Sequence, residues 1–406
     1  MLTGSPLPRF LALYGALFAA FGVASPFLPG LLQQDGLGPG AIGIVLAGGT
    51  GIRLLTGPLG GRLADRTGLP AAVLGGFTAT SALIALGYVP ARGLPLLLLV
   101  SIAHAAVLAP LTPIADALVL GSAENKPGFR YGTVRAAGSA AFIVGTLASG
   151  QFVERAGLGA IIWLNAGLLA AAACFAWFVP NRVAGIRTAE ETSAASGSFM
   201  ALLRIPAFRR LMIVAALVGG SHALHDGFEV IRWRTAGMSA GQASVLWAVS
   251  VAAEVVVFLF LGRRILKRLG PGRAMTLAAL AGIVRWGTAA QTAWFPVMAL
   301  VEPLHGLTFA LLHLACMDMI GRVVPARLAA TAQAFYATIA MGATSALVTL
   351  GAGPLYGHFG AAAFWAMAAM CAAALPVTWG IHLQGVQADL RRTGPVARAG
   401  NCHQAE

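Results

Sequence analysis

The feature that most constrains this chain is a succession of about twelve apolar runs, each near bilayer length, separated by short polar stretches. They fall near residues 9–32, 39–59, 70–90, 94–121, 132–153, 157–180, 209–234, 239–262, 273–293, 295–321, 327–354 and 360–383. An α-helix of about twenty residues crosses the hydrocarbon core of a bilayer, whereas a membrane β-barrel uses alternating segments of about ten. These runs are rich in Ala, Leu and Gly and do not alternate. Composition agrees: 10% of residues are charged and 58% hydrophobic, against about 25% charged in a soluble domain. The sequence therefore predicts an all-α membrane protein with twelve transmembrane helices.

The polar stretch from Asn181 to Arg210 divides the runs six and six. The expected organisation is an N-terminal six-helix half over residues 1–180, a linker over 181–208, a C-terminal six-helix half over 209–383 and a tail over 384–406. The last part of the linker, Phe199 to Phe208, has the pattern of a short interfacial amphipathic helix. With both termini inside, 21 Lys and Arg fall on the inner side and four on the outer, while Arg53 and Arg285 lie within spans. Positive charge marks the cytoplasmic face, so the expectation is a multi-pass inner (plasma) membrane protein with both termini cytoplasmic. The first run follows a single basic residue, Arg9, without a small-residue cleavage pattern, and reads as a retained helix.

The net charge of +13 is spread over the loops and has no basic cluster interleaved with aromatics, which excludes a nucleic-acid surface. Cys174, Cys316, Cys371 and Cys402 have no metal-ligand spacing. No phosphate-binding Gly-rich loop, Gly-x-Ser-x-Gly or His-Glu-x-x-His is present, so neither an ATP-driven pump nor a hydrolase is indicated. The expectation is no enzyme, no metal and no cofactor.

Between the second and third runs lies Gly61-Arg62-Leu63-Ala64-Asp65-Arg66-Thr67-Gly68, read as a short basic loop whose Asp65 can lock onto a neighbouring helix end. It resembles the Gly-x-Leu-Ala-Asp-Arg-x-Gly signature of major facilitator superfamily transporters, in which Gly61, Asp65, Arg66 and Gly68 would form a gating loop. Leu69 and Pro70 replace the basic pair that usually follows. The segment from Gly262 to Gly270 holds the corresponding place about two hundred residues later, and Gly353 to Gly360 echoes the close of the fifth run at Gly157. Two pseudo-symmetric six-helix halves with a site between them are the major facilitator fold, and the resemblance implies that layout. Close helix packing accounts for most of the 51 glycines.

A charge inside a span needs a partner or a water-filled cavity. In the first half the candidates are Arg53, His104, Asp116 and Arg135; in the second they are His222, His225, Asp226, Glu229, Glu254, Arg285, Glu302, His305, His313 and Asp318. Asp116 and Arg135 resemble the acid–arginine pair of the lactose-permease-type proton symporters, and an ion pair that only ties helices is the other reading. Glu254, Arg285 and His305 match the acid, arginine and histidine that join substrate binding to proton transfer in that group. Thr308 stands where its proton-carrying acid would be, and Glu302, one turn before His305, is placed to substitute. The carrier is left among Glu254, Glu302 and Asp318. His225, Glu229 and Arg232 form one helical stripe, either lining a cavity or emerging at a helix end, with Asp226 and Arg234 off it. His104 and His313 read as packing histidines; Trp286, beside Arg285, can stack on a flat substrate.

Arg53, the Pro-x-x-Asp ending at Asp116, Tyr131-Gly132-x-x-Arg135, Gly220-x-His222, Ala253-Glu254-Val255, Val284-Arg285-Trp286-Gly287 and Leu304-His305 together resemble the phenylpropionate-permease-like branch of the superfamily. That resemblance implies a proton symporter for a small organic solute, with carboxylates favoured, a lipid environment and a monomer. Arg53, Asp116, Arg135, His222, Arg285 and Trp286 would bind substrate, and Glu254, Glu302, His305 and Asp318 would couple the proton. A sugar or nucleoside symporter, a proton-antiporting exporter and a non-transporting sensor are the alternatives.

Overall fold

A computed structural model describes residues 6–123, 129–181 and 200–393. Residues 182–199 of the expected linker, the tail beyond 393 and Lys126 lie outside the described residues. The rest is helical. Proline in the first turn opens Leu28–Gln34, Pro39–Thr67, Pro70–Leu86, Pro206–Gly220 and Phe295–Val301, where its missing N–H costs nothing. Ala240–Val256 opens instead on a reciprocal cap, the Ser239 side chain accepting from Gln242 N–H and the Gln242 side chain accepting from Ser239 N–H.

Among the described residues, eight stretches are long and apolar enough to cross a membrane, and Pro70–Leu86 and Ala160–Ala176 are shorter apolar helices. Two of the eight, Ala240–Gln291 and Ala326–Ile381, have 52 and 56 residues, too many for one crossing at about 1.5 Å per residue. They break at Gly270 and Gly360, whose φ of 71° and 54° favour glycine. Positive-φ glycines recur in pairs about two hundred residues apart: Gly36 with Gly237, Gly68 with Gly270, and Gly157 with Gly360. A positive-φ glycine thus stands at matching points of residues 7–181 and 206–381.

Four expected elements differ in detail. The first run divides into Leu7–Ala24 and Leu28–Gln34, and the fourth into Gly93–Leu108 and Leu111–Ala123, because Pro26 and Pro110 cannot continue a helical ladder. The stretch read as a basic loop is helical through Thr67, and only Gly68, at φ 63°, leaves the helix. Between Phe199 and Phe208, residues 200–203 form one helical turn before Pro206 starts the next helix.

The N-terminal and C-terminal helices meet closely at the end remote from residue 7. Gly43 of Pro39–Thr67 lies against the backbone of Gly353 in Thr344–Phe359, where an added Cβ would come within 3.0 Å. Gly150 of Tyr131–Ala156 faces Ser244 and Ala240, and a Cβ there would overlap the serine. The Glu154 carboxylate accepts from Gly241 N–H at 2.8 Å, tying the same two helices.

Candidate functional site

The C-terminal helices bury a charged network around Arg285, which has no exposed surface. Its NH2 donates to Glu302 Oε2 at 2.6 Å and to His225 Nε2 at 2.9 Å, and its NH1 donates to His305 Nδ1 at 3.0 Å. Arginine cannot accept, so both imidazoles present a bare nitrogen to it. Each imidazole has an acid on its other nitrogen. His225 Nδ1 is 3.1 Å from Asp226 Oδ1, and His305 Nε2 is 3.5 Å from Glu254 Oε2. Glu302 is 2% exposed, whereas the Asp226 and Glu254 side chains are 60% and 26% exposed. The arrangement is a buried arginine held by one buried carboxylate, flanked by two imidazoles that each lead to a more open acid.

Aromatic rings fix these groups. His225 stacks on Trp247 at 4.9 Å between centroids, His305 stacks on Phe309 at 5.5 Å, and the Arg285 guanidinium lies 4.5 Å from the Trp286 ring centroid. Trp286 is itself fully buried and donates from Nε1 to Ser221 Oγ at 2.9 Å, so its ring supports Arg285 rather than offering an open face to a flat solute. His222 donates from Nδ1 to the Val218 carbonyl at 3.1 Å and accepts from the Thr308 hydroxyl at 2.9 Å. Asp318 stands apart: it pairs with Arg322 at 2.8 Å on a partly exposed helix end.

In the N-terminal helices the polar groups are more loosely held. Asp116 and Arg135 do not form an ion pair. Asp116 instead accepts from the Tyr14 hydroxyl at 2.5 Å. The Arg135 guanidinium lies 4.8 Å from the Phe18 ring centroid, and its NH1 is buried without a hydrogen-bond partner. Arg53 is exposed and lies seven residues after Leu46, on the helical stripe whose Leu46 approaches Gly227 of the C-terminal helices. His104 is buried against Tyr88, edge to face, with Nε2 unpartnered.

Asp65 and Arg66 are exposed, and Asp65 has no partner among the described residues. Gly68 is held from behind: the Asn181 side chain donates to its carbonyl at 3.1 Å and accepts from Ala71 N–H at 3.0 Å. The stripe of His225, Glu229 and Arg232 neither lines open space nor emerges at a helix end, for all three are buried and Arg232 lies 3.4 Å from Glu229. Off the stripe, Asp226 and Arg234 are both exposed. Among the described residues no three His, Cys, Asp or Glu are grouped to hold a metal ion.

Sequence reasoning undervalued His225, Tyr14 and Ser221. A lone tyrosine in an otherwise apolar first run was a signal for the Asp116 partner, since a phenol inside a span needs one. His225 is marked by the helical period only as part of a stripe with Glu229 and Arg232, not as a partner of Arg285. It opens a π-helical segment, His225–Glu229, where the usual spacing of faces does not hold.

Residues 9–367 match the MFS_1 like family. The chain is 32% identical to a "Probable 3-phenylpropionic acid transporter" of Escherichia coli (strain K12), over 89% of this chain and 94% of that protein. It is 25% identical to a maltose permease of Geobacillus stearothermophilus, over 89% and 91%. Among solved structures, the nucleoside transporter NupG superposes with a TM-score of 0.77 at 15% identity, covering 94% of this chain and 99% of that one. A peptide transporter, POT, superposes with a TM-score of 0.69 at 13% identity, over 95% and 96%. These relatives are transporters, not enzymes. The chain belongs to the MFS_1 like family and is a multi-pass membrane transporter of the major facilitator type.

Proposed function

We propose that this transporter moves a small organic carboxylate together with a proton, by alternating access between two six-helix halves of a twelve-span inner-membrane protein. The observation that carries the reading is the division of charge. Arg53 and Arg135 on the N-terminal side lack carboxylate partners within ion-pair distance, while the C-terminal side pairs Arg285 with Glu302 and links it through His305 to Glu254. An arginine without a carboxylate partner suits a carboxylate ligand. Imidazoles beside buried carboxylates suit proton exchange near neutral pH.

The matching glycine breaks support the two-half layout, and the relative that carries 3-phenylpropionic acid in its name supports the substrate class. With both termini inside, the closely packed end is the outer one, and the described state is closed to the outside. The gating stretch Gly61 to Gly68 would lie on the inner side, with Asp65 exposed and able to pair in another state.

The test is uptake by proteoliposomes carrying the purified protein, with a pH dye in the outer medium and a panel of aromatic carboxylates, sugars and nucleosides. Alkalinisation of the medium on adding a carboxylate is expected. A response to sugars or nucleosides alone would overturn the substrate class, and uptake without proton movement would overturn the coupling.

A further inference from the structure

The buried network also suggests which group takes the proton and how that act reaches the substrate. His225 touches both ends of the question. Its Nε2 accepts an N–H of Arg285 at 2.9 Å and lies 3.4 Å from Glu302 Oε2, while its Nδ1 faces the open carboxylate of Asp226 at 3.1 Å. Because Arg285 only donates, Nε2 is bare in this state and the ring proton sits on Nδ1, donated to Asp226. Stacking on Trp247 holds the ring in that orientation.

We propose that His225 is the residue that takes the transported proton, at Nε2, and that doing so releases Arg285 to bind the substrate carboxylate. This rests on the reading of the protein as a proton-coupled carboxylate transporter. The bookkeeping is local. When the site opens to water, a hydronium ion gives up one proton and leaves as water, and an N–H bond forms at Nε2. A protonated Nε2 can no longer accept from Arg285; it donates to Glu302 Oε2 instead. Arg285 then loses one acceptor outright and shares its carboxylate with a second cation. Like charges at this distance in a poorly solvated site repel strongly. The guanidinium turns away from Glu302, and a substrate carboxylate takes the place of Glu302 as its partner. Proton and substrate thereby bind in support of one another, and on release the steps reverse.

The groups around the ring fit this role. On its own segment His225 has Asp226, His222 and Glu229; Arg285 comes from the helix Gly262–Gln291, Glu302 and His305 from the helix after it, and Glu254 stands behind His305. Two carboxylates thus flank the imidazole, one per nitrogen, and both stabilise it once charged. His305 lacks this second acid. Its Nδ1 meets Arg285 alone, and its Nε2 lies farther from Glu254 than Nδ1 of His225 lies from Asp226.

The experiment compares net uptake driven by a proton gradient with exchange of labelled for unlabelled substrate, which moves no net proton. The amide of His225→Gln donates to Glu302 at every pH and takes no proton. Gradient-driven uptake and the proton-to-substrate ratio are expected to fall more than tenfold, with exchange falling far less. A normal ratio in this variant would overturn the proposal. Asp226→Leu, at an exposed position that folding tolerates, removes the acceptor of the charged ring. It is expected to lower gradient-driven uptake about tenfold, with recovery in Asp226→Glu; unchanged uptake would equally overturn the assignment. Should the wild-type protein carry carboxylates without moving protons, the underlying reading falls instead, and that outcome is separable because it appears before any variant is made.

Discussion

The two regions of this molecule share a backbone plan and differ in what they bury. Within the N-terminal helices the buried polar residues are Thr78, Ser81, Ser101, His104, Ser122, Thr146, Ser149 and Asn165, with no acid or arginine among those described. The C-terminal helices bury Glu229, Arg232, Arg285 and Glu302. They also contain the π-helical segments His225–Glu229, Val257–Leu261, Gly306–Leu311 and Tyr336–Ala343, for which the described N-terminal residues have no counterpart. A π turn carries one residue more than an α turn, widens the helix locally and rotates the side chains beyond it. Two of these segments adjoin His225 and His305, the imidazoles that meet at Arg285. The difference teaches that two regions with matching positive-φ glycines can differ in chemistry through local winding.

The comparison can be broken most sharply at Arg285. Arg285→Ala breaks the buried 2.6 Å ion pair and leaves Glu302 only His225 at 3.4 Å, and a loss of about 3–5 kcal/mol is expected. Thermal unfolding in detergent would show it as a large drop in midpoint. Arg135→Ala, on the N-terminal side, should leave that midpoint unchanged. Equal drops would refute the claim that Arg285 is held by an ion pair in this state and Arg135 is not.

A smaller effect is expected where the regions meet. Gly150→Val places a side chain against Ser244 and Ala240, and overpacking of this kind costs about 1–3 kcal/mol. Because the clash exists only when this end is closed, the cost shifts the equilibrium toward a state open at that end. Labelling of a cysteine introduced near Glu154 by a membrane-impermeant reagent should rise, and no rise would show that the contact does not gate.

For the site itself, Arg135→Ala should raise the substrate KM by about tenfold to a hundredfold, the worth of one charge-assisted hydrogen bond. The maximum rate should change little, since the protonating network is untouched. A fall in rate with KM unchanged would move Arg135 from binding to conformational change.

The smallest effects test the shared plan. Gly68 and Gly270 share a positive φ, 63° and 71°, but differ in ψ, 11° and 168°. Gly68→Ala forces a side chain into left-handed backbone at about 1–2 kcal/mol, whereas Gly270→Ala enters a region that essentially only glycine populates, at about 1–3 kcal/mol. Gly270→Ala is expected to cost more, and equal costs would show that the difference in ψ carries no weight.

Much of the fold was legible because the signals are local. Apolar length marks each crossing, proline marks helix starts, and the glycine at 68, 157, 270 and 360 falls where a helix must end without a Cβ. Tyr14 beside Asp116 was half legible: the phenol was visible, its partner 102 residues away was not. The candidate site was legible as a set of residues and not as a set of bonds. Glu302 and Arg285 were both singled out, but the 2.6 Å contact between them and the placing of Trp286 against the guanidinium were not.

What the sequence by itself determined is the succession of helices and the distribution of charge between their ends, because a bilayer demands apolar length and satisfied backbone from each segment alone. The tertiary structure decided which polar groups meet. Arg285 reaches His225, Glu302 and His305 across separations of 60, 17 and 20 residues, and those encounters depend on how each helix is rotated and wound. The π turns set that rotation, and no three-to-four-residue period in the chain records them.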